Sequence, residues 1–255
     1  MRPVHTVAVL LVAAVVGLAA HTPSALVDAQ KALGGELPGS FRNFVAKGVR
    51  RNIIAGQPAT AIPFEWNFEM PDKWVWIEGG TSPITIGFNG KKVITNSPEN
   101  LFYTGGYADD RSAIARDDEQ LVNARVGFAV VTLGLFAREF RGAYPMELLT
   151  NAADPDAVNI EADQLSATLK LDPVTHLPSQ LGWREQGRGG VGGGLVTRLW
   201  VYSSYRDVDA RKVPARLSFY LGQLKSDKLQ EMTRWEIQSF QFNGTIDPKV
   251  FRPAK

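Results

Sequence analysis

The chain has 255 residues, no cysteine, and 28 Lys and Arg against 26 Asp and Glu, a formal net charge of +2. Without cysteine it has no disulfides, no thiolate metal ligands and no site for acylation on a cysteine side chain. The near-balance of charge, with no basic run longer than Lys91-Lys92 or Arg50-Arg51, argues against a nucleic-acid partner.

Residues 1–20 differ from everything after them. Arg2 supplies a short positive region, and 7–20 is an unbroken apolar run ending in small residues. That is the layout of a secretory signal peptide, and Gly17 and Ala19 supply the small-x-small pattern of a cleavage site near Ala19 or Ala20. The run is too short for a membrane-spanning helix, which needs about 20 apolar residues. The expectation is a periplasmic chain, with secretion as the alternative. Its mature part, 21–255, is expected to be one domain with no transmembrane segment.

Ser24 can cap a short helix over 25–33 that Gly34-Gly35 ends. The period then changes. Phe64, Trp66, Phe68 and Met70 alternate with Glu65, Asn67 and Glu69, the signature of a strand with one buried and one wet face. Pro71-Asp72 makes a turn, a second strand begins at Trp74, and Ile84, Ile86 and Phe88 lie on a third. The third runs into Asn89-Gly90, which suits a two-residue type I′ hairpin turn.

Between Asp109 and Arg141 the reading is helical. Asp117, Asp118 and Glu119 favour a helix N-terminus, and 121–140 is long, apolar and free of lysine, as in a helix enclosed by other structure. Strands then return. Leu165, Ala167, Leu169 and Leu171 alternate with polar residues, as do Leu217, Phe219 and Leu221, and then Trp235 and Ile237. About nine or ten strands are expected. Consecutive hairpins make the sheet an antiparallel meander, mainly β with a few helices.

Three local patterns carry a family resemblance. Asp172-Pro173-Val174-Thr175-His176-Leu177-Pro178 resembles the D-x-x-T-x-L-P corner of the LolA-like superfamily of periplasmic lipoprotein carriers and their relatives. Tyr205-Arg206-Asp207-Val208-Asp209, followed by Val213-Pro214, is similar to its Y-R-x-V-D…P stretch. The closing segment from Asn243 through Ile246, Pro248 and Phe251 looks like its terminal N-x-x-I-x-P-x-x-F. The resemblance implies a strongly curved antiparallel sheet forming an incomplete barrel, covered by a few helices. It also implies a concave apolar face that holds lipid or the acyl chains of an acylated protein. A regulatory or scaffolding protein that binds an envelope protein partner is the alternative within the same fold.

No constellation of reactive groups stands out. Gly187-Arg188-Gly189-Gly190-Val191-Gly192 satisfies G-x-G-x-x-G, but a strand-like run from Leu195 follows where a dinucleotide site requires a helix, so a hairpin loop is expected. Of three histidines, His5 lies in the signal region, His21 near its end and His176 in a turn. They make a poor basis for a metal site or a Ser-His-Asp triad. Asp109-Asp110 and Asp117-Asp118-Glu119 are adjacent carboxylates, whereas a calcium loop alternates them. No catalytic residue, metal or cofactor is therefore assigned. The candidate ligand-lining residues are Phe64, Trp66, Phe68, Met70, Leu169, Leu217, Phe219 and Trp235. Each is also what the core of a buried sheet face requires.

Intact-mass measurement of the protein from its host's envelope fraction should give a chain beginning at or next to His21. A mature species that retains Met1 overturns the export assignment.

Overall fold

The computed structural model describes residues 24–34, 42–54, 58–81, 83–91, 93–96, 147–162, 165–186, 195–222 and 228–252. Helix α1 (Ser24–Ala32) precedes β1 (Asn43–Asn52), β2 (Ala61–Glu69), β3 (Lys73–Glu78), β4 (Ile84–Asn89) and β5 (Val93–Thr95). Then follow β6 (Glu147–Thr150), β7 (Ala157–Ala162), β8 (Leu165–Leu171), β9 (Pro178–Gln186), β10 (Leu195–Val208), β11 (Arg211–Gly222) and β12 (Leu229–Phe242). A single 3-10 turn, Pro248–Phe251, closes the described chain. The expected helix over 121–140 lies outside the described residues, among which α1 is the one α-helix.

Among the described residues there are twelve strands, against about nine or ten expected, and all join one antiparallel sheet in the order β5-β4-β3-β2-β1-β12-β11-β10-β9-β8-β7-β6. Every neighbouring pair is a sequential hairpin except β1 with β12, so two meanders are joined by their first and last strands. The sheet is not closed: β5 and β6 are its edges. It is also curved. Trp66 on β2 and Trp235 on β12 are separated by β1, two strand spacings or about 9–10 Å of backbone, yet their ring centroids lie 6.1 Å apart. Trp200 and Trp235, with β11 between them, are at 5.0 Å. Side chains converge in this way on the inside of a bend.

β1 shows no clean alternation because its inward positions are Phe44, Ala46, Gly48 and Arg50, and the last two are not apolar anchors. Gly48 sits at a bulge against β12, where an added Cβ would lie 2.0 Å from the Glu236 carbonyl oxygen. The Asn89-Gly90 turn differs from the expected type I′. Phe88 pairs with Val93, leaving a four-residue connection in which only Gly90 among the described residues has positive φ and the Asn89 side chain accepts from Lys91 N. The primed geometry occurs instead at Asp209-Ala210, with φ of 48° and 62°, between paired Val208 and Arg211. Helix α1 ends against this turn. Gly34, at φ 115°, lies where a Cβ would meet Ala210 O at 2.5 Å, and Lys212 N donates to Leu33 O at 3.1 Å.

The three motifs are turn and edge devices. Asp172 accepts from Val174 N, Thr175 N and Thr175 Oγ1, which holds its carboxyl below the usual range. His176 takes φ 56° as the corner turns into β9. Tyr205 donates from Oη to Pro178 O at 2.7 Å, so the second motif anchors the last residue of the first. Burial keeps that phenol far above its ordinary pKa and hence a donor. In the third, Asn243 Oδ1 accepts from Arg42 N at 2.8 Å, locking the end of β12 to the start of β1. Phe251 then packs with Val75 and Ile94 on the convex face. The glycine segment joins β9 to β10, which are antiparallel partners with Gln186 opposite Leu195, so no helix follows it and the dinucleotide geometry is absent.

Tyr205→Phe leaves the carbonyl of buried Pro178 without its donor. Urea denaturation should show a loss of about 1–3 kcal/mol. An unchanged midpoint would mean that the two motifs are not energetically coupled.

Candidate ligand-binding face

Cross-strand register determines which side chains share the concave face. Phe44, Phe68, Trp74 and Phe88 form one row across β1 to β4, followed by Ala46, Trp66, Trp76 and Ile86, and then Gly48, Phe64, Glu78 and Ile84. On the other meander Trp235 faces Leu217, Phe219 faces Trp200, Trp200 faces Leu181, Leu181 faces Leu169 and Leu169 faces Val158. Apart from Gly48 and Glu78, these side chains belong to one continuous apolar cluster, to which α1 contributes Ala25, Leu26 and Ala29.

The structure brings all eight sequence-derived candidates into this cluster. Phe64, Trp66, Phe68, Leu169, Leu217, Phe219 and Trp235 are buried in it, and Met70 packs against it half-buried from the turn after β2. Sequence reasoning omitted Trp74, Trp76, Trp183 and Trp200, although with Trp66 and Trp235 they complete the chain's six tryptophans, all on this face. The available signal was parity. Trp74 and Trp76 alternate around Val75, and Trp200 lies two residues before Tyr202, also in the cluster.

The centre of the face is a ladder of indoles. Trp76 stacks on Trp66 with centroids 5.0 Å apart at 19°, Trp66 approaches Trp235 at 6.1 Å, and Trp235 stacks on Trp200 at 5.0 Å and 13°. Stacked aromatic pairs of this kind contribute about 0.5–1.5 kcal/mol beyond the area they bury. The ladder crosses β1 because Ala46 and Gly48, the inward residues between the rings, are small.

Sequence reasoning also missed the charges. Arg50 and Glu78 lie on inward positions at one end of the ladder, with Arg50 Nε 3.0 Å from Glu78 Oε2 and Arg50 Nη1 donating to Asn52 Oδ1. The Nε contact is held by charge more than by hydrogen-bond alignment. Glu78 also accepts from Trp235 Nε1 at 3.3 Å. Burial raises its pKa above the ordinary carboxylate value against the opposing pull of Arg50. The guanidinium of Arg198, buried on β10, lies 5.9 Å from the Phe219 ring centroid.

Glu78→Gln should destabilise the fold by about 3–5 kcal/mol, because it removes the carboxylate charge paired with the buried Arg50 guanidinium. Combining Arg50→Met with Glu78→Leu should restore most of that loss. Thermal and urea melts of Glu78→Gln, of Arg50→Met and Glu78→Leu singly, and of the double variant test this; additive losses in the last three would show that the pair is not coupled.

No family model matches the chain, and no curated protein matches it. Solved structures do. A LolA superfamily protein from Nitrosomonas europaea is 14% identical and superposes with a TM-score of 0.52, covering 91% of this chain and 98% of that one. A putative outer membrane lipoprotein-sorting protein domain from Vibrio parahaemolyticus gives 9% identity and 0.46, covering 90% and 95%. A DUF1329 family protein from Desulfovibrio piger gives 9% and 0.44, covering 84% and 91%. At such identities the likeness is one of architecture: the chain has a LolA-like fold, a single curved antiparallel sheet left open as an incomplete barrel.

Proposed function

We propose that this is an exported, non-enzymatic protein that holds a hydrophobic ligand, lipid or the acyl chains of a lipoprotein, non-covalently against the concave face of its sheet. The observation that carries this reading is the continuous aromatic face of a single open sheet, onto which all six tryptophans point. In a sandwich such a face is covered by a second sheet. Here every described strand belongs to the same sheet, so no second described sheet packs on this face, whose six tryptophans are nonetheless 0–5% exposed. A concave apolar surface with a few placed polar groups is the usual form of a small-molecule site.

The LolA-like fold of the Nitrosomonas europaea protein supports the same reading, as do the three motifs and the apolar N-terminal segment. Among the described residues no helix is long and apolar enough to cross a membrane. The assignment as a binding protein rests on the side chains of the face: its carboxylate, Glu78, is engaged by Arg50 and Trp235.

Enlarging a small inward residue tests the proposal. Ala46 lies beside Trp66 at the middle of the face. Ala46→Phe should weaken binding of a fluorescent fatty acid by roughly tenfold, about 1.4 kcal/mol, and, because Ala46 is fully buried among the rings, should also cost about 1–3 kcal/mol of stability through overpacking. A wild type that binds no probe would refute the carrier reading and favour a sheet that binds a protein partner.

A further inference from the structure

The four indoles of the ladder are not equivalent towards oxidation. Indole, with phenol, is among the side chains most readily stripped of one electron, and the radical cation left behind is acidic at its nitrogen. A ring that can hand that proton to a base is the easiest to oxidise. Trp235 has such a base, because its Nε1–H donates to the Glu78 carboxylate at 3.3 Å. Burial raises the pKa of that carboxylate against the opposing pull of Arg50, so it takes a proton more readily than an exposed one. Its negative charge also stabilises a positive charge on the adjacent ring.

The other three indoles have no such partner. The Nε1–H groups of Trp66, Trp76 and Trp200 are buried without a hydrogen-bond acceptor among the described residues. Tilted or edge-on rings lie beside them: Phe64 by Trp66, Trp74 by Trp76 and Phe219 by Trp200. A ring can receive an N–H contact but cannot take the proton, so a hole on these indoles stays cationic. Tyr205 is no better placed, since its Oη donates to the Pro178 carbonyl, which is too weak a base.

The ring contacts supply a route. Centroid separations of 5.0, 6.1 and 5.0 Å run from Trp76 through Trp66 and Trp235 to Trp200, distances at which neighbouring π systems exchange electrons. Trp76, at 5%, is the most exposed of the four, so oxidation begins most readily at that end.

We infer that the ladder is a radical sink, which conducts a one-electron hole from Trp76 to Trp235, where Glu78 takes the indole proton. The oxidant is a strong one-electron acceptor, by class an oxygen-centred radical, and it is reduced by one electron. One electron then passes from Trp66 to Trp76 and one from Trp235 to Trp66, which restores both rings. At Trp235 the Nε1–H bond breaks and an O–H bond forms on Glu78 Oε1. A neutral indolyl radical remains, and the positive charge of the ion pair stays on Arg50. This activity needs no ligand on the face and is independent of the ligand-holding reading.

Flash photolysis of the full chain with a photogenerated ruthenium(III) polypyridyl as oxidant tests it. Transient visible absorption separates the tryptophan radical cation, the neutral indolyl radical and the tyrosyl radical. The wild type is expected to end as the neutral indolyl radical. Trp235→Phe keeps an aromatic ring without the acidic N–H and should abolish that species. The Arg50→Met/Glu78→Leu double variant removes the base together with its counter-ion and should leave the radical cation with Trp235 still present. Trp66→Phe interrupts the route and should slow formation of the neutral radical severalfold. Thermal melts identify the folded variants, and two of them remove the proton transfer independently, so one that fails to fold leaves the other to decide. A neutral indolyl radical that persists in folded Trp235→Phe or in the folded double variant overturns the inference. A tyrosyl radical as the main product of the wild type, or an unchanged rate in Trp66→Phe, overturns it equally.

Discussion

The pairing of β1 with β12 is the contact on which the rest of the architecture depends. Each other ladder closes a hairpin between strands adjacent in sequence, whereas this one joins positions about two hundred residues apart, as Phe44 opposite Phe242 illustrates. Without it the chain would be two separate meanders, each with half of an apolar face and an extra open edge, a liability for aggregation. The pair is secured at its end by side chains: Arg42 N donates to Asn243 Oδ1 and Asn43 Nδ2 donates to Gly244 O. It is also shaped in its middle. Opposite Gly48, where no Cβ would fit beside the Glu236 carbonyl, β12 carries a bulge at Gln238, and bulges increase local twist and bend the strand that carries them.

Strand β1 makes the aromatic face continuous. A large residue at position 46 or 48 would hold the rings of β2 and β12 apart. With alanine and glycine there, Trp66 and Trp235 come within 6.1 Å over the top of β1, and indoles from both meanders become one surface. The small inward residues of β1 thus enable the aromatic contact across it. The ladder ends at Arg50, also on β1, whose ion pair with Glu78 places that carboxylate where Trp235 can use it.

This explains which parts of the fold were legible in the sequence. β2, β8, β11 and the Trp235–Ile237 part of β12 were readable because their inward residues are apolar at every second position; beyond it the bulge at Gln238 moves the next buried residue to Phe240. β1 was not, since its function at the join requires Ala46, Gly48 and Arg50 where alternation calls for anchors. The Asp172 and Tyr205 motifs were recognisable as local patterns, but the hydrogen bond from Tyr205 to Pro178 spans 27 residues and depends on register. The eight candidate residues could be named strand by strand. That Trp76, Trp66, Trp235 and Trp200 form one row depends on the β1–β12 pairing, which local pattern does not specify.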